Sequence, residues 1–207
     1  SFLFILMNIK LKKWNKKGKK ICNQKDEDVT ILIPVYNSKK YIKETIKSIK
    51  NQKYNGNIYI NIIDDGSTDG SVELLRKIEA EEDIKFIELS HIGKASALNK
   101  GLQHVCTDYV ITVDSDTVLH QFAVKNIMNK LVNSDEKTVA TAGCLFVKNA
   151  KKSFVTKLQE WDYTLGIFGV KMLQGNYNST LVAQGAFSAY KTKPLKEIGG
   201  WKNCVGE

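Results

Sequence analysis

The chain has 207 residues, 43% of them apolar and 26% charged, which suits one globular α/β domain with a full core. Its net charge of +9 is mostly local: residues 10–20 carry seven lysines and no acid, and without them the charge falls to +2, which excludes a general nucleic-acid groove. The four cysteines are far apart and form no Cys-x-x-Cys or Cys/His cluster, which excludes a thiolate metal site and leaves free thiols in a reducing compartment.

The chain opens on the apolar run Ser1–Met7, too short for a bilayer, which takes about 20 residues. With the lysines directly behind it, residues 1–9 read as the cytoplasmic end of a transmembrane helix and 10–27 as a basic juxtamembrane linker. That places the domain on the cytoplasmic side of the cell membrane. A disordered basic tail is the alternative; a signal peptide fits poorly, because its basic residues precede the apolar core.

The globular part spans 28–207. Val29–Ile33 reads as a buried strand stopped by Pro34. Ser38 is the expected N-cap of a helix over 39–52, with Ile42, Ile46 and Ile49 on one face. Strand Ile58–Ile63 ends at Asp64-Asp65-Gly66-Ser67. A helix from Asp69 or Ser71 runs to about Glu82, and Ile84–Leu89 is the third strand. A loop with Gly93 leads into helix Ala95–His104, followed by strand Tyr109–Val113, helix 120–133 and strand Thr138–Val147. Residues 153–178 read as helical with a glycine-containing loop, Leu181–Tyr190 as a strand and Pro194–Ile198 as a short helix. The β-α alternation predicts an α/β fold with a mainly parallel sheet and helices on both faces.

Asp114-Ser115-Asp116 closes the fourth strand. Residues two apart at a strand end point the same way, so both carboxylates can reach one hard cation at the carboxyl edge of the sheet. A turn with capping carboxylates is the bland alternative. Three further loops fall on the same expected edge: Pro34-Val35-Tyr36-Asn37, Asp64 to Gly70, and Gly93-Lys94-Ala95-Ser96-Ala97-Leu98-Asn99. Gly93-Lys94 lacks phosphate-loop spacing, and no G-x-G-x-x-G is present.

Together and in this order, the four loops resemble glycosyltransferase family 2, with its GT-A nucleotide-diphospho-sugar fold, over about residues 28–207. Gly93–Asn99, Val182–Tyr190 and Glu197-Ile198-Gly199-Gly200-Trp201 look like the membrane-bound processive polysaccharide synthases, poly-N-acetylglucosamine synthases being the nearest subgroup. The resemblance implies an inverting, metal-dependent transfer of a hexose, N-acetylglucosamine by the subgroup, from a UDP-sugar to a growing glycan. On that reading Pro34 and Tyr36 line the uracil pocket. Asp65 accepts from the uracil or uridine, with Asp64 beside it, and Lys94 faces the diphosphate. Asp114 contacts the ribose or the metal edge, and Asp116 binds Mg²⁺ or Mn²⁺. Asn99 is structural.

Gly185, Ala186 and Phe187 lie under the acceptor sugar on the family reading, or form a core strand end. Trp201 stacks on the acceptor or plugs the core. Trp161, Tyr163 and Phe168 read as an apolar helix side, Glu160 and Asp162 as solvated, and the three histidines as surface residues with no metal role. The base that deprotonates the acceptor is expected directly after Val205-Gly206-Glu207, so the 207 residues are expected to bind donor weakly or not at all and to be inactive. The competing readings are a non-processive transferase that decorates a lipid or surface glycan, and a non-catalytic nucleotide-sugar-binding module. A nucleotidyltransferase fits less, because no glycine-rich loop follows Val29–Ile33.

Overall fold

Val29–Val35 is buried at every position. Such a strand forms where a sheet is covered on both faces, and the computed structural model, which describes residues 26–144 and 186–202, places it near the centre of a six-stranded sheet. The elements are β1 (Val29–Val35), α1 (Ile42–Lys50), β2 (Ile58–Asp65), α2 (Ser71–Glu81), β3 (Lys85–Leu89), α3 (Lys94–Gln103), β4 (Tyr109–Val113), α4 (Ala123–Val132), β5 (Ala140–Ala142), β6 (Phe187–Lys191) and α5 (Thr192–Glu197). The strand order is β3-β2-β1-β4-β6-β5.

Neighbouring residues of β1 face opposite layers. Ile31 and Ile33 join the core built with Ile42, Ile46 and Ile49 of α1, Leu75 of α2 and Ile127 and Leu131 of α4. Leu32 joins Ile63, Leu98, Leu102 and Val110 on the α3 face. Each such side chain contributes roughly 1.5–3 kcal/mol when fully buried. The near-continuous apolar run of β1 is therefore the signature of a two-sided layer.

β1 to β4 run parallel, as the alternation predicts. β6 pairs antiparallel with β4, and β5 antiparallel with β6. Phe187 lies opposite Val113, so the chain enters β6 at the carboxyl edge and runs back down beside β4. The sheet is therefore mixed.

Some boundaries differ from expectation. Pro34 does not stop β1; pairing with β2 continues to Val35↔Asp64, while pairing with β4 ends at Leu32↔Thr112. Pro34 sits where β4 no longer needs a ladder donor, so its missing N–H is tolerated. Ser38 does not cap α1 with its side chain. Its carbonyl accepts from Tyr41 and Ile42, and helix follows from residue 42. The strand expected over 138–147 is seen over 140–142. The segments expected over 1–25, 145–185 and 203–207, including the membrane stub, the 153–178 helix and Gly185, lie outside the described residues. Among the described residues no helix is long and apolar enough to cross a membrane.

Candidate functional site

The chain runs outward from β1 through β2 to β3, then returns to the other side of β1 as β4. The order therefore reverses between β1 and β4. In open α/β sheets a crevice opens at the carboxyl ends of the strands at such a reversal, because the two following loops diverge to opposite sides. Here those loops carry Tyr36 and Asp114-Ser115-Asp116.

Ser115 ties the two sides together. Its hydroxyl lies 2.7 Å from that of Ser38, and its carbonyl accepts from Thr45 Oγ1 at 2.8 Å. The Asp114 amide donates to the Ala186 carbonyl at 3.1 Å, and the Thr117 amide to the Asp114 carbonyl at 3.0 Å. With the middle residue pinned inward and the flanking backbone bonded, Asp114 stays half-buried and Asp116 exposed at the rim. Lys94, at the start of α3, places its ammonium 2.8 Å from Asp114 Oδ1. Oδ2 of Asp114 and the carboxylate of Asp116 remain for a hard cation. Among the described residues no cluster of three or more His, Cys, Asp or Glu forms a cage. Two carboxylates one residue apart at an open rim suit an ion that draws its other ligands from water and phosphate.

The second half of the site is built around Asp65, whose side chain is 5% exposed. Its Oδ1 accepts from the Ile92 amide at 2.7 Å and its Oδ2 from the Gly93 amide at 3.0 Å. His91 Nδ1 lies 3.0 Å from the Asp65 carbonyl and 3.1 Å from Oδ2. The buried charge is thus matched by donors from one loop, which it holds in place. Gly66 makes this approach feasible: it has φ +78°, and a Cβ there would lie 2.8 Å from the His91 amide nitrogen. The His91 ring stacks on Tyr36 with centroids 4.6 Å apart and planes 29° from parallel. Tyr36 remains 51% exposed, so a large aromatic surface stays open at the crevice.

The first loop is locked to the second. The Asn37 amide donates to Ser67 Oγ at 2.8 Å, the Thr68 amide to Asn37 Oδ1 at 2.8 Å, and the Lys39 amide to Asp69 Oδ2 at 3.0 Å. Burial pulls the Asp69 carboxyl upward, but hydrogen bonds from Ser71 and Lys39 outweigh it and hold the group below its ordinary value.

Tyr36, Asp65, Lys94, Asp114 and Asp116 thus meet at one edge. Asp64 does not join them. It is fully buried, its Oδ2 accepts from the Gly66 and Ser67 amides at 3.1 and 2.9 Å, and it shapes the loop from below. Pro34 is buried within β1, below the rim. Phe187 is 6% exposed and belongs to the larger core, so of the two readings of this segment its side chain follows the core one. The neighbouring Ala186 carbonyl accepts from the Asp114 amide. Trp201 packs edge-on against Tyr190, centroids 5.6 Å apart. Tyr190 pairs with Val110, four residues from Asp114 and roughly 13 Å down the strand. Trp201 is therefore a packing plug away from the rim. Asn99 is structural as expected, accepting from the Trp201 amide at 2.9 Å and donating to its carbonyl at 2.7 Å.

Sequence reasoning missed His91 and Ser115. Neither residue type stands out in a loop, and the pairings that reveal them span 26 to 77 positions. An open cleft of about 830 Å³ lies at the opposite, amino edge, lined by Asp26, Glu27, Asp28, Asn61, Lys85 and His104 among others. Two of its carboxylates are used locally: Asp26 accepts from the Asn55 amide, and Asp28 from Asn57. It lies away from the strand ends that converge above.

A model of the family described as glycosyl transferase family 2 matches residues 30–199. The poly-beta-1,6-N-acetyl-D-glucosamine synthase of Staphylococcus aureus is 32% identical over 176 residues, which cover 84% of this chain and 42% of that protein. The enzyme of the same name from Staphylococcus epidermidis is 29% identical over 180 residues, covering 86% and 43%. The chain thus spans less than half the length of these curated relatives. Among solved structures, a mannosyltransferase from Pyrobaculum calidifontis in complex with GDP-Man and Mn²⁺ superposes with a TM-score of 0.67 at 23% identity, covering 98% of this chain and 56% of that one. Staphylococcus aureus TarS in complex with UDP-GlcNAc gives 0.53 at 19% identity, covering 83% and 47%.

Proposed function

The chain belongs to glycosyltransferase family 2 and has a GT-A fold, and from that premise we propose that its carboxyl-edge crevice binds a UDP-sugar, probed most simply as UDP, for transfer of N-acetylglucosamine to a growing glycan. The observation that carries this reading is the convergence of Tyr36, Asp65, Lys94 and Asp114-Ser115-Asp116 at the β1/β4 reversal. Each supplies what one part of such a donor requires. An exposed aromatic face takes a planar base. A buried carboxylate accepts from an imide N–H. An ammonium faces anionic oxygens as a point charge. The likeness to the two staphylococcal synthases supports the sugar and the polymer; the TarS complex supports UDP-GlcNAc as donor.

Asp114 and Asp116 are the residues to hold Mg²⁺ or Mn²⁺. Bound there with the diphosphate, the ion supplies Lewis-acid stabilisation of the departing UDP; the Mn²⁺ complexes of the mannosyltransferase and of a glucosyl-3-phosphoglycerate synthase from Mycobacterium tuberculosis support this assignment. Lys94 adds charge on the same side. In the present geometry it pairs with Asp114, which keeps two otherwise solvent-facing charges poised at the rim. The acceptor hydroxyl attacks the anomeric carbon opposite UDP and inverts it. The family resemblance puts the base for that hydroxyl directly after Gly206-Glu207.

A titration of UDP into the ¹⁵N-labelled chain, with and without Mg²⁺ as the diamagnetic ion, tests the reading. Shifts at Tyr36, Asp65, Lys94 and Asp116 that require the metal are expected. Millimolar UDP that leaves these amides unmoved in the presence of the metal, both in this chain and in one continuing past residue 208, refutes it.

A further inference from the structure

One face of Tyr36 is already covered by part of the chain. His91 stacks on Tyr36 at 4.6 Å, and its Nδ1 points to Asp65, 3.1 Å from Oδ2. These are the two contacts that a uracil ring would make in the proposed donor site: a planar face on Tyr36 and a ring N–H toward Asp65. Resting on that donor reading, we propose that His91 is a stand-in for the nucleobase, holding Tyr36 and Asp65 in their binding geometry until the base displaces it one for one.

The hydrogen-bond arithmetic supports an exchange. A carboxylate offers about four lone-pair sites. The Ile92 amide takes one on Oδ1, and the Gly93 amide takes one on Oδ2 beside His91. Departure of His91 leaves both backbone bonds intact, ends the contact of Nδ1 with the Asp65 carbonyl at 3.0 Å and clears the side of Oδ2 that Nδ1 approaches at 3.1 Å, where an imide N–H fits. The exchange also preserves the satisfaction of a carboxylate that is 5% exposed and would be costly to leave short of donors. Among the described residues nothing bars the exit, since the His91 side chain is 62% exposed and can swing into solvent by rotation about its own bonds. The loop itself stays anchored through Ile92 and Gly93.

A ligand that must displace an occupant binds more weakly by the fraction of time the site is open. An aromatic stack of ordinary strength holds His91 in place most of the time, so its removal is expected to tighten UDP binding by about 3- to 14-fold. The test measures UDP affinity with Mg²⁺ for the wild type, His91→Ala and His91→Phe. The Ala variant is expected to bind more tightly. The Phe variant keeps a ring on Tyr36 and is expected to bind no more tightly than the wild type. In the wild type, the His91 Cε1–H resonance is expected to lose the ring-current shift of Tyr36 as UDP is added, a readout that needs no variant. UDP binding by His91→Ala that equals or falls below the wild type overturns the proposal, as does a His91 resonance unmoved by bound UDP. If UDP binds none of the three proteins, the donor reading itself fails, and this proposal with it.

Discussion

Replacing Asp65 with Asn changes one atom at the point where the β2 and 91–93 loops meet. In the wild type, Oδ1 and Oδ2 each accept a backbone amide, from Ile92 at 2.7 Å and Gly93 at 3.0 Å, and His91 Nδ1 lies 3.1 Å from Oδ2. Asparagine presents one oxygen and one NH₂ group. Whichever way the amide is turned, its NH₂ faces a backbone N–H, and that donor is left unsatisfied at a position only 4% exposed. The cost is about 1–3 kcal/mol, the range for leaving a buried donor unsatisfied. The loop can relieve it by opening locally, so the clearest assay is amide hydrogen exchange at Ile92 and Gly93. An increase of about 5- to 150-fold in their exchange rates is the equivalent of that energy. UDP affinity is expected to fall with it, because Tyr36 and the loop lose their common anchor. Exchange rates at both amides that match the wild type would show that Asp65 does not hold the loop.

Gly200→Ala places a Cβ 2.1 Å from Asn99 Oδ1 in a backbone with φ +79°; left-handed strain and the lost clamp on Trp201 together cost about 2–4 kcal/mol, read as a lower urea midpoint at unchanged slope. Lys94→Ala removes a partly exposed ion pair with Asp114, so stability is expected to change by less than about 1 kcal/mol while UDP affinity drops by about tenfold; unchanged affinity would remove Lys94 from the diphosphate. Burial first, then the carboxylates of Asp26, Glu27 and Asp28, push the Tyr54 phenol well above its ordinary value. A folded pKa raised above the unfolded one contributes stability that is complete below about pH 10 and is lost as the pH rises further. Tyr54→Phe is accordingly expected to flatten the alkaline limb of a stability–pH curve, and an unaltered limb would assign the loss elsewhere.

Much of the site was legible because its signals are local. Each of the four loops is a short string beside an apolar strand, and the parallel alternation sends all four to one edge. Asp114 and Asp116 follow from spacing alone, since residues two apart share a direction at a strand end. Asp64 and Asp65 are adjacent and chemically alike, and the sequence offers no means of telling them apart. The pleat does so: Asp64 faces inward, where it closes its own turn, while Asp65 faces the 91–93 loop. Phe187 and Trp201 look suited to a sugar in a one-dimensional reading, yet the register of β6 against β4 sends Phe187 into the core, and Asn99 and Tyr190 hold Trp201 on the α3 flank.

The amino-acid sequence by itself determined most of the elements among the described residues, the parallel direction of the first four strands and the chemical kinds of residue at their carboxyl ends. These depend on periodicity, turn residues and apolar runs, which act over a few positions. The tertiary structure alone decided where the order reverses, and so which two loops form the crevice. It also decided that Ser115 is pinned by Ser38 and Thr45, that Lys94 pairs with Asp114, and that His91 lies on Tyr36 against Asp65. Most of these contacts join residues 20 to 77 positions apart, and their geometry is set by strand register and by loop packing over Gly66, which no local pattern encodes.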